Sequence, residues 1–442
     1  SLEKENQSLT YHIMRLPVIA NQIIISSCLL IASAFTVSAQ KVIKVDSSHV
    51  MTLRIDPSNA NGGKVSDIFT EINYIPLETT DESLFGSIGK LEVTDDYFII
   101  LDHNTHCILI FNKNGKFHTK IKSTEGKNTI WDFAINKFEK QITFTRDGYK
   151  NMTTCDYDGK VIKTEKMGGE TAKDEINSDD LIYFTPDKAI GTGYFNNMDS
   201  TDKYYKTFSK SLIIFADKKH KVYAHGLPFK KAESELGNDI ISAGNSTRNL
   251  TNAGIDTVFF YSKAYDYSIY TITPNTIKYS YQLIFPLSSS LPIDFSVNPI
   301  YKTKRIEYVE KHRDAIFCIT NVFQSGDNLF FKGSIYGTTK EDNLIYNLKS
   351  GTLIAYKHIQ PDEKSSYLPI GEDNWNFGGI MTNTGGYLYT AVSSLATFTA
   401  FEQNKDNKDV KPNYNPVLTQ YFKKGTRKDN PCIIQLKIKN DL

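Results

Sequence analysis

The sequence predicts an all-β chain, a six-bladed β-propeller of four-stranded antiparallel blades closed by its N- and C-terminal strands. Three observations predict it: one clear meander of strand signals near residue 100, its degenerate recurrence along the chain, and an apolar strand at each end of the mature part. In residues 97–121, YFIILDHNTHCILIFNKNGKFHTKI, a run of β-formers meets a polar break at 102–106. A second apolar run over 107–111 follows, then the turn Asn112-Lys113-Asn114-Gly115, then alternation at Phe117, Thr119 and Ile121. Strand signals of this length, punctuated by Asn and Gly, mark antiparallel hairpins. With residues 88–93 ahead of it the stretch makes a meander of about four strands, one propeller blade.

The unit recurs. Residues 152–161 align with 108–117, placing Gly159-Lys160 on Gly115-Lys116. Looser copies lie at 211–215 with 219–222, at 267–272 with 276–281, at 343–348 with 351–356, and at 431–438. Their spacing of roughly 45 to 85 residues resembles propeller blades of about 40–50 residues carrying loop insertions. A single blade cannot bury both of its faces, so blades stack and the ring must close.

Residues 1–39 read as upstream residues and a secretory signal peptide. Met14 is the expected initiator, Arg15 the positive end, 23–35 the apolar segment, and Val37-Ser38-Ala39 the small-residue cleavage site before Gln40. The apolar run of about 15 residues is shorter than the ~20 of a membrane span. Ile25-Ser26-Ser27-Cys28 loosely matches a lipoprotein box, but the residues after Cys28 stay apolar. No later stretch is long and apolar enough to cross a bilayer, so the mature chain is expected to lack a transmembrane segment.

Residues 40–442 form the expected propeller. The whole chain's 26 Tyr and 26 Phe suit strands. Long amphipathic helical patterns are hard to find; 174–180 and 230–238 are candidates for short helices. With 51 Lys and Arg against 50 Asp and Glu, the net charge is +1. No basic block faces a phosphate backbone, which excludes nucleic acid as an expected partner. Cys107, Cys155, Cys318 and Cys432 remain after cleavage. Export permits disulfides, but Cys107, Cys155 and Cys432 fall on apolar strands of different blades, so buried thiols are expected.

In chain order, 41–55 reads as an N-terminal strand region and 56–64 as an Asn- and Gly-rich loop. Residues 68–77, IFTEINYIPL, are expected to complete the last blade beside 433–438, IIQLKI, removing the free edges. Residues 78–85 lead into blade one. Blade two spans 131–167, blade three 181–227, blade four 257–285 and blade five 315–359; blade six begins near 377. Residues 232–252 read as a polar insertion. The connection 286–313 reads as a surface loop with a helical turn, and 403–415 as a solvated hairpin tip.

One combination of residues carries a family resemblance. After the signal come Tyr74-Ile75-Pro76-Leu77-Glu78-Thr79, Ile88-Gly89-Lys90-Leu91, the run 98–102, and 108–111 with Asn114-Gly115-Lys116; the chain closes on Asp429-Asn430-Pro431 and an apolar strand. This resembles the six-bladed β-propeller proteins of the cell envelope of Bacteroides-type bacteria, which are similar to NHL-repeat propellers. The resemblance covers nearly all of the mature chain and is strongest at both ends. It implies the fold and a location in the periplasm or at the cell surface. It brings no catalytic motif.

Propellers work at the mouth formed by the loops between second and third strands and the loops entering the innermost strands. Here those are 102–106, 146–150, 194–197, 261–265 and 336–340, with 131–132 and 373–377 entering innermost strands. They nominate His103, His106, Trp131, Arg146, Tyr194, Lys263, Tyr265, Tyr336 and Trp375 as ligand-binding residues. Aromatic faces beside a few polar groups suit a glycan or peptide. The competing reading is ordinary loop-tip residues, some packing blade to blade.

Asp102-His103-x-x-His106 has metal-ligand residue types, but such spacing in a turn splays the side chains and no second cluster completes it. Residues 154–159 with Glu165 partly match a calcium loop, but the first position is Thr154, and the same register in blade one is a hairpin turn. Neither assigns a metal. Nucleophile-elbow and phosphate-loop motifs are absent. The expected function is therefore an exported binding or scaffold protein, not an enzyme and without a cofactor, that takes a glycan, a peptide or an envelope protein as partner. A monomer is expected. The alternative, implied by related propellers, is a lactonase- or lyase-type enzyme with one axial divalent metal such as calcium.

Overall fold

The structure, a computed structural model, describes residues 41–123, 129–146, 151–166, 181–192, 211–219, 221–228, 250–255, 257–336, 343–372 and 379–442. Each meander folds into one antiparallel sheet whose strands pair in sequence order. Blade one comprises Ile88–Val93, Tyr97–Asp102, Ile108–Asn112 and Phe117–Ile121; blade two Ala134–Asn136, Gln141–Arg146, Asn151–Asp156 and Val161–Lys166. Blade three comprises Ile182–Thr185, Lys188–Thr192, Ser211–Asp217 and Val222–Pro228; blade four Leu250–Ile255, Val258–Ser262, Ser268–Ile272 and Ile277–Ile284. Blade five comprises Cys318–Ser325, Asn328–Ser334, Asn343–Asn347 and Leu353–Gln360; blade six Thr382–Thr384, Tyr387–Val392 and Cys432–Ile438.

Strand periodicity explains why the runs are apolar throughout rather than alternating. Successive side chains point to opposite faces, and here each face meets another blade. Phe98 and Ile100 pack toward blade six with Tyr389, Ala391 and Ile433. Their neighbours Ile99 and Leu101 pack toward blade two with Ile142, Phe144 and Cys155. The alternation repeats around the ring: Ala134 meets Tyr183 and Ile214, Phe184 meets Phe259, Phe260 meets Leu329, and Phe330 meets Leu388. First strands converge: the Thr251 hydroxyl in blade four donates to the Val322 carbonyl in blade five at 2.5 Å.

Ring closure comes from the N-terminal segment. It runs as β1 (Lys41–Ile43), β2 (Val45–Asp46), β3 (Met51–Arg54) and β4 (Asn61–Lys64), then a helical turn α1 (Val65–Ile68), then β5 (Phe69–Pro76). β5 is the outer strand of blade six, antiparallel to Cys432–Ile438, with Ile75 opposite Ile433 and Glu71 opposite Lys437. The preceding strands cover the outer edges of other blades in ring order. β1 lies beside blade three, β2 and β3 add in parallel to blade four, and β4 adds in parallel to blade five. Neighbouring strands rotate by about 20–25°, so a blade's fourth strand is turned far from its first, which lets one extended chain pass from blade to blade.

Asn430 ties this closure to blade one. Its fully buried side chain accepts the Phe85 N–H at 3.1 Å. It donates to the Glu78 and Ser83 carbonyls, each at 2.9 Å. Its own N–H donates to the Thr79 hydroxyl at 2.9 Å. At the same seam the Lys113 ammonium lies 4.6 Å from the Phe98 ring and 4.9 Å from the Tyr389 ring. Burial pulls its pKa down to about 8, against a smaller opposing pull from Asp95.

Turns between third and fourth strands repeat one device. Asp156 Oδ1 accepts the N–H groups of Asp158 and Lys160 at 3.1 and 2.8 Å, and Asp217 Oδ1 those of Lys219 and Lys221 at 2.8 and 3.0 Å. Gly115, Gly159 and Gly351 take the positive φ these turns need. The candidate calcium loop is thus a hairpin turn. The four cysteines among the described residues are free and buried, each in a different blade or its approach.

Three boundaries differ from the sequence reading. Residues 61–64, read as loop, are a strand because they borrow the edge of blade five. Blade four starts at Leu250, not 257: residues 250–252, read as the end of an insertion, belong to its first strand, whose polar Thr251 and Asn252 hid the pattern. The supposed hairpin tip at 403–415 instead joins two helices, following α2 (Arg305–Lys311) as α3 (Ser394–Asp406) and α4 (Pro416–Lys424), inserted between the second and third strands of blade six. Ser393 and Asn415 cap α3 and α4 through the N–H groups of Ala396 and Leu418. Phe398, Phe401, Tyr421 and Phe422 weld them, with the Phe401 and Phe422 rings stacked at 4.0 Å. The candidate helices at 174–180 and 230–238, and the signal at 1–39, lie outside the described residues.

Asn430→Ala is expected to lower unfolding free energy by about 3 kcal/mol in urea titration, because buried main-chain groups lose their partners. Lys113 yields a pH signature. A depressed lysine pKa means the native state sheds its proton first, so stability rises from about pH 8 toward the ordinary lysine value. Lys113→Met is expected to be relatively more stable at pH 7 and to lose that rise.

Candidate ligand-binding mouth

Because strands alternate in direction, loops between second and third strands and loops entering first strands emerge at the same end of the ring. The best-defined part of this mouth is the boundary between blades one and two. It is organised by Asp102, at the end of the second strand of blade one. Its buried carboxylate accepts the N–H groups of Ser87, Asn104 and Thr105 at 3.1, 3.3 and 3.0 Å, and the Thr105 hydroxyl at 2.5 Å. Burial by itself raises the pKa of this acid, but the Thr105 hydroxyl and the ring of N–H donors outweigh it and hold it below the ordinary carboxylate value. Asp102 is thus a loop organiser: its oxygens are engaged by the backbone, not presented to the mouth.

The bend it enforces places the histidines. His106 takes positive φ and donates its N–H to the Asp102 carbonyl at 2.9 Å. Its ring lies 6.2 Å from that of His103 and meets Trp131 edge-on at 4.5 Å. Trp131 stands on the connection into blade two and is 61% exposed. Ser123 stitches the neighbourhood together, its N–H donating to the Cys107 thiol at 3.4 Å and its hydroxyl accepting the Ile130 N–H at 3.1 Å.

The same boundary carries charge. Lys90, on the innermost strand of blade one, donates to Asp132 at 2.7 Å and to the Phe133 carbonyl at 2.6 Å. Its side chain is largely buried, that of Asp132 one-third exposed. Arg146 donates to the Lys122 carbonyl at 3.2 Å and lies over the Phe144 ring at 5.0 Å. Its Nε is buried without a partner among the described residues.

Four of the nine nominated residues, His103, His106, Trp131 and Arg146, therefore gather at one blade boundary. A second group lies at blades four and five. Tyr265 is buried there, its ring edge-on to Phe295 at 5.2 Å, so it builds core. The Tyr336 hydroxyl donates to Glu310 at 2.7 Å, and that carboxylate raises its pKa. Lys263 is partly buried on the same loop as Tyr265. Tyr194 and Trp375 lie outside the described residues.

Sequence reading passed over Lys90, and placed Asp132 on a mouth loop without nominating it. A lysine inside the innermost strand IGKLEV was the available signal. It also passed over the aromatic stack of Phe295, Tyr301, Tyr308 and His312 on the connection to blade five, where buried Arg305 donates to the Phe295 carbonyl at 3.0 Å. The blade one–two boundary can stack a flat ring on Trp131 and pair its polar edge with Lys90, Asp132, Arg146 or the imidazoles. Among the described residues no three His, Cys, Asp or Glu side chains converge as a metal-holding group.

A family model for a domain of unknown function, DUF4934, matches residues 50–437. No curated protein matches the chain. Among solved structures, a Bacteroides fragilis protein described as exported superposes with a TM-score of 0.61 at 15% identity, over 90% of this chain and all of that one. A Bacteroides vulgatus member of the DUF4221 family aligns at TM-score 0.40 and 10% identity, covering 84% of this chain and 98% of the other. Virginiamycin B lyase from Staphylococcus aureus aligns at 0.37 and 14%, covering 83% and 99%. At these identities the similarity is one of fold. No described helix is long and apolar enough to cross a membrane.

Asp102→Asn retains one acceptor and turns an amide against N–H donors, so a loss of about 2 kcal/mol is expected at pH 7. A folded-state pKa below the unfolded one gives stability that is present above the unfolded value and lost as pH falls through the folded one. The gap between wild type and Asp102→Asn in urea titrations is therefore expected to close below about pH 4.

Proposed function

The chain belongs to the DUF4934 family of unknown function, and from that premise we propose that it is an exported binding module of the bacterial cell envelope. Export is supported by the signal-like sequence ahead of Gln40 and by the described export of the Bacteroides fragilis protein that shares its fold. The proposed ligand site is the blade one–two mouth, and the proposed ligand a glycan, with a peptide or envelope-protein segment as the wider class. One observation carries the reading: Trp131 is held edge-on by His106 while most of its surface faces solvent. An indole held in place by a neighbouring ring, with its apolar body open and a polar N–H at its edge, suits a ligand that is apolar on one side and polar on the other. A sugar ring uses both parts of the site, its C–H face on the indole and its hydroxyls on Lys90, Asp132 and the imidazoles.

Glycan and peptide arrays, followed by titration monitored through tryptophan fluorescence, test this. Trp131→Ala is expected to weaken binding by about tenfold or more and to leave the melting temperature nearly unchanged, since the ring is not core. Absence of binding on both arrays, with no partner recovered from envelope extract, overturns the reading.

A further inference from the structure

Among the described residues, the N-terminal strands leave one blade edge uncovered. Of the six outermost strands, only Val161–Lys166 of blade two is exposed at every residue. β1 to β4 lie along blades three, four and five, and β5 is itself the edge of blade six. The edge of blade one is partly closed, because Glu78 accepts the Phe117 N–H at 3.0 Å. On blade two, Val161 and Ile162 are 55% and 51% exposed, on a six-residue strand whose outer side pairs with no strand among the described residues. Such an edge is a template for another strand, and native proteins normally block it.

We propose that this edge is a homodimer interface, in which Val161–Lys166 of two copies pair antiparallel about a two-fold axis at Thr164. The charge pattern selects a second copy as the occupant. Lys163 and Glu165 share one face and are bridged at 2.8 Å. Antiparallel pairing centred on Thr164 sets Lys163 opposite the partner's Glu165 and Glu165 opposite the partner's Lys163. Thr164 then faces the partner's Thr164, a favourable cross-strand pair, and each Ile162 lies opposite the aliphatic stem of the partner's Lys166. A one-residue slip opposes unlike faces and loses both ion pairs. Lysines on an edge strand ordinarily repel a second copy; here Lys163 has its acid, Glu165, two residues on, so the centre of the edge is its own complement. Strand addition at outer edges is already how this chain covers blades three to five. A six-residue edge pair is smaller than the ~800 Å² per partner of a stable interface, so the dimer is weak and concentration-dependent.

Sedimentation equilibrium of the mature chain, from micromolar to about millimolar, tests the proposal together with hydrogen exchange on 161–166. The expected result is reversible dimerisation that weakens with salt, with protection of 161–166 rising as dimer forms. Lys163→Glu and Glu165→Lys each oppose like charges twice per dimer and are expected to weaken association about tenfold; the double exchange restores it. Both sites are exposed, so the monomer fold is kept. A chain that stays monomeric throughout overturns the proposal and leaves the edge to an extended segment of another protein. So does a dimer indifferent to both single reversals.

Discussion

Everything in this ring depends on the pairing of β5 with Cys432–Ile438. Asn73 and Gln435, neighbours across that pair, are 362 residues apart in sequence. Bringing such distant residues together costs, in its length-dependent part, about 5 kcal/mol of chain entropy. The contact outweighs this by burying Phe69, Ile433, Ile434 and Leu436 completely, at roughly 1.5–3 kcal/mol for each apolar side chain removed from water. Without that closure, blade six would lack its outer strand and the cluster joining blades six and one would lose Ile433.

The same requirement explains the sequence character of the strands. A blade in a closed ring has two buried faces, so YFIIL is apolar at every position, and substitution on either face is felt by a neighbouring blade. It also explains the polar residues that are buried. Asn430 and Asp102 occupy places where the chain must leave one blade and enter the next, and each side chain satisfies main-chain donors or acceptors that no strand can reach. Asn430 couples the end of the helical insertion to the 78–85 connection, and Asp102 folds the loop that carries His103 and His106.

The mouth follows from these supports. His106 is positioned by Asp102 and Trp131 by the stitched backbone around Ser123, so the ring pair is preorganised by residues that do not themselves face a ligand. Its electrostatics come from the adjoining strands: Lys90 is held beneath by Asp132, and Arg146 is anchored on the Lys122 carbonyl. The opposite rim differs in kind, because Tyr265 and Phe295 fill space between blades four and five and present little ring surface to solvent.

Sequence alone determined the architecture, since strand period, turn residues and apolar termini are local signals that survive degenerate repetition. It thereby also located the blades and the closing strand. It nominated His103, His106 and Trp131 by residue type and loop position, without knowing that their rings would meet. Only the tertiary structure decided that Tyr265 belongs to the core and that Lys90 lies under Trp131's neighbour Asp132. It also decided that residues 41–64 bind the outer edges of blades three, four and five and not that of blade two. The physical reason is common to these cases: each depends on which chain segment lies across from a residue, and strands joined by long connections carry that information in packing, not in spacing.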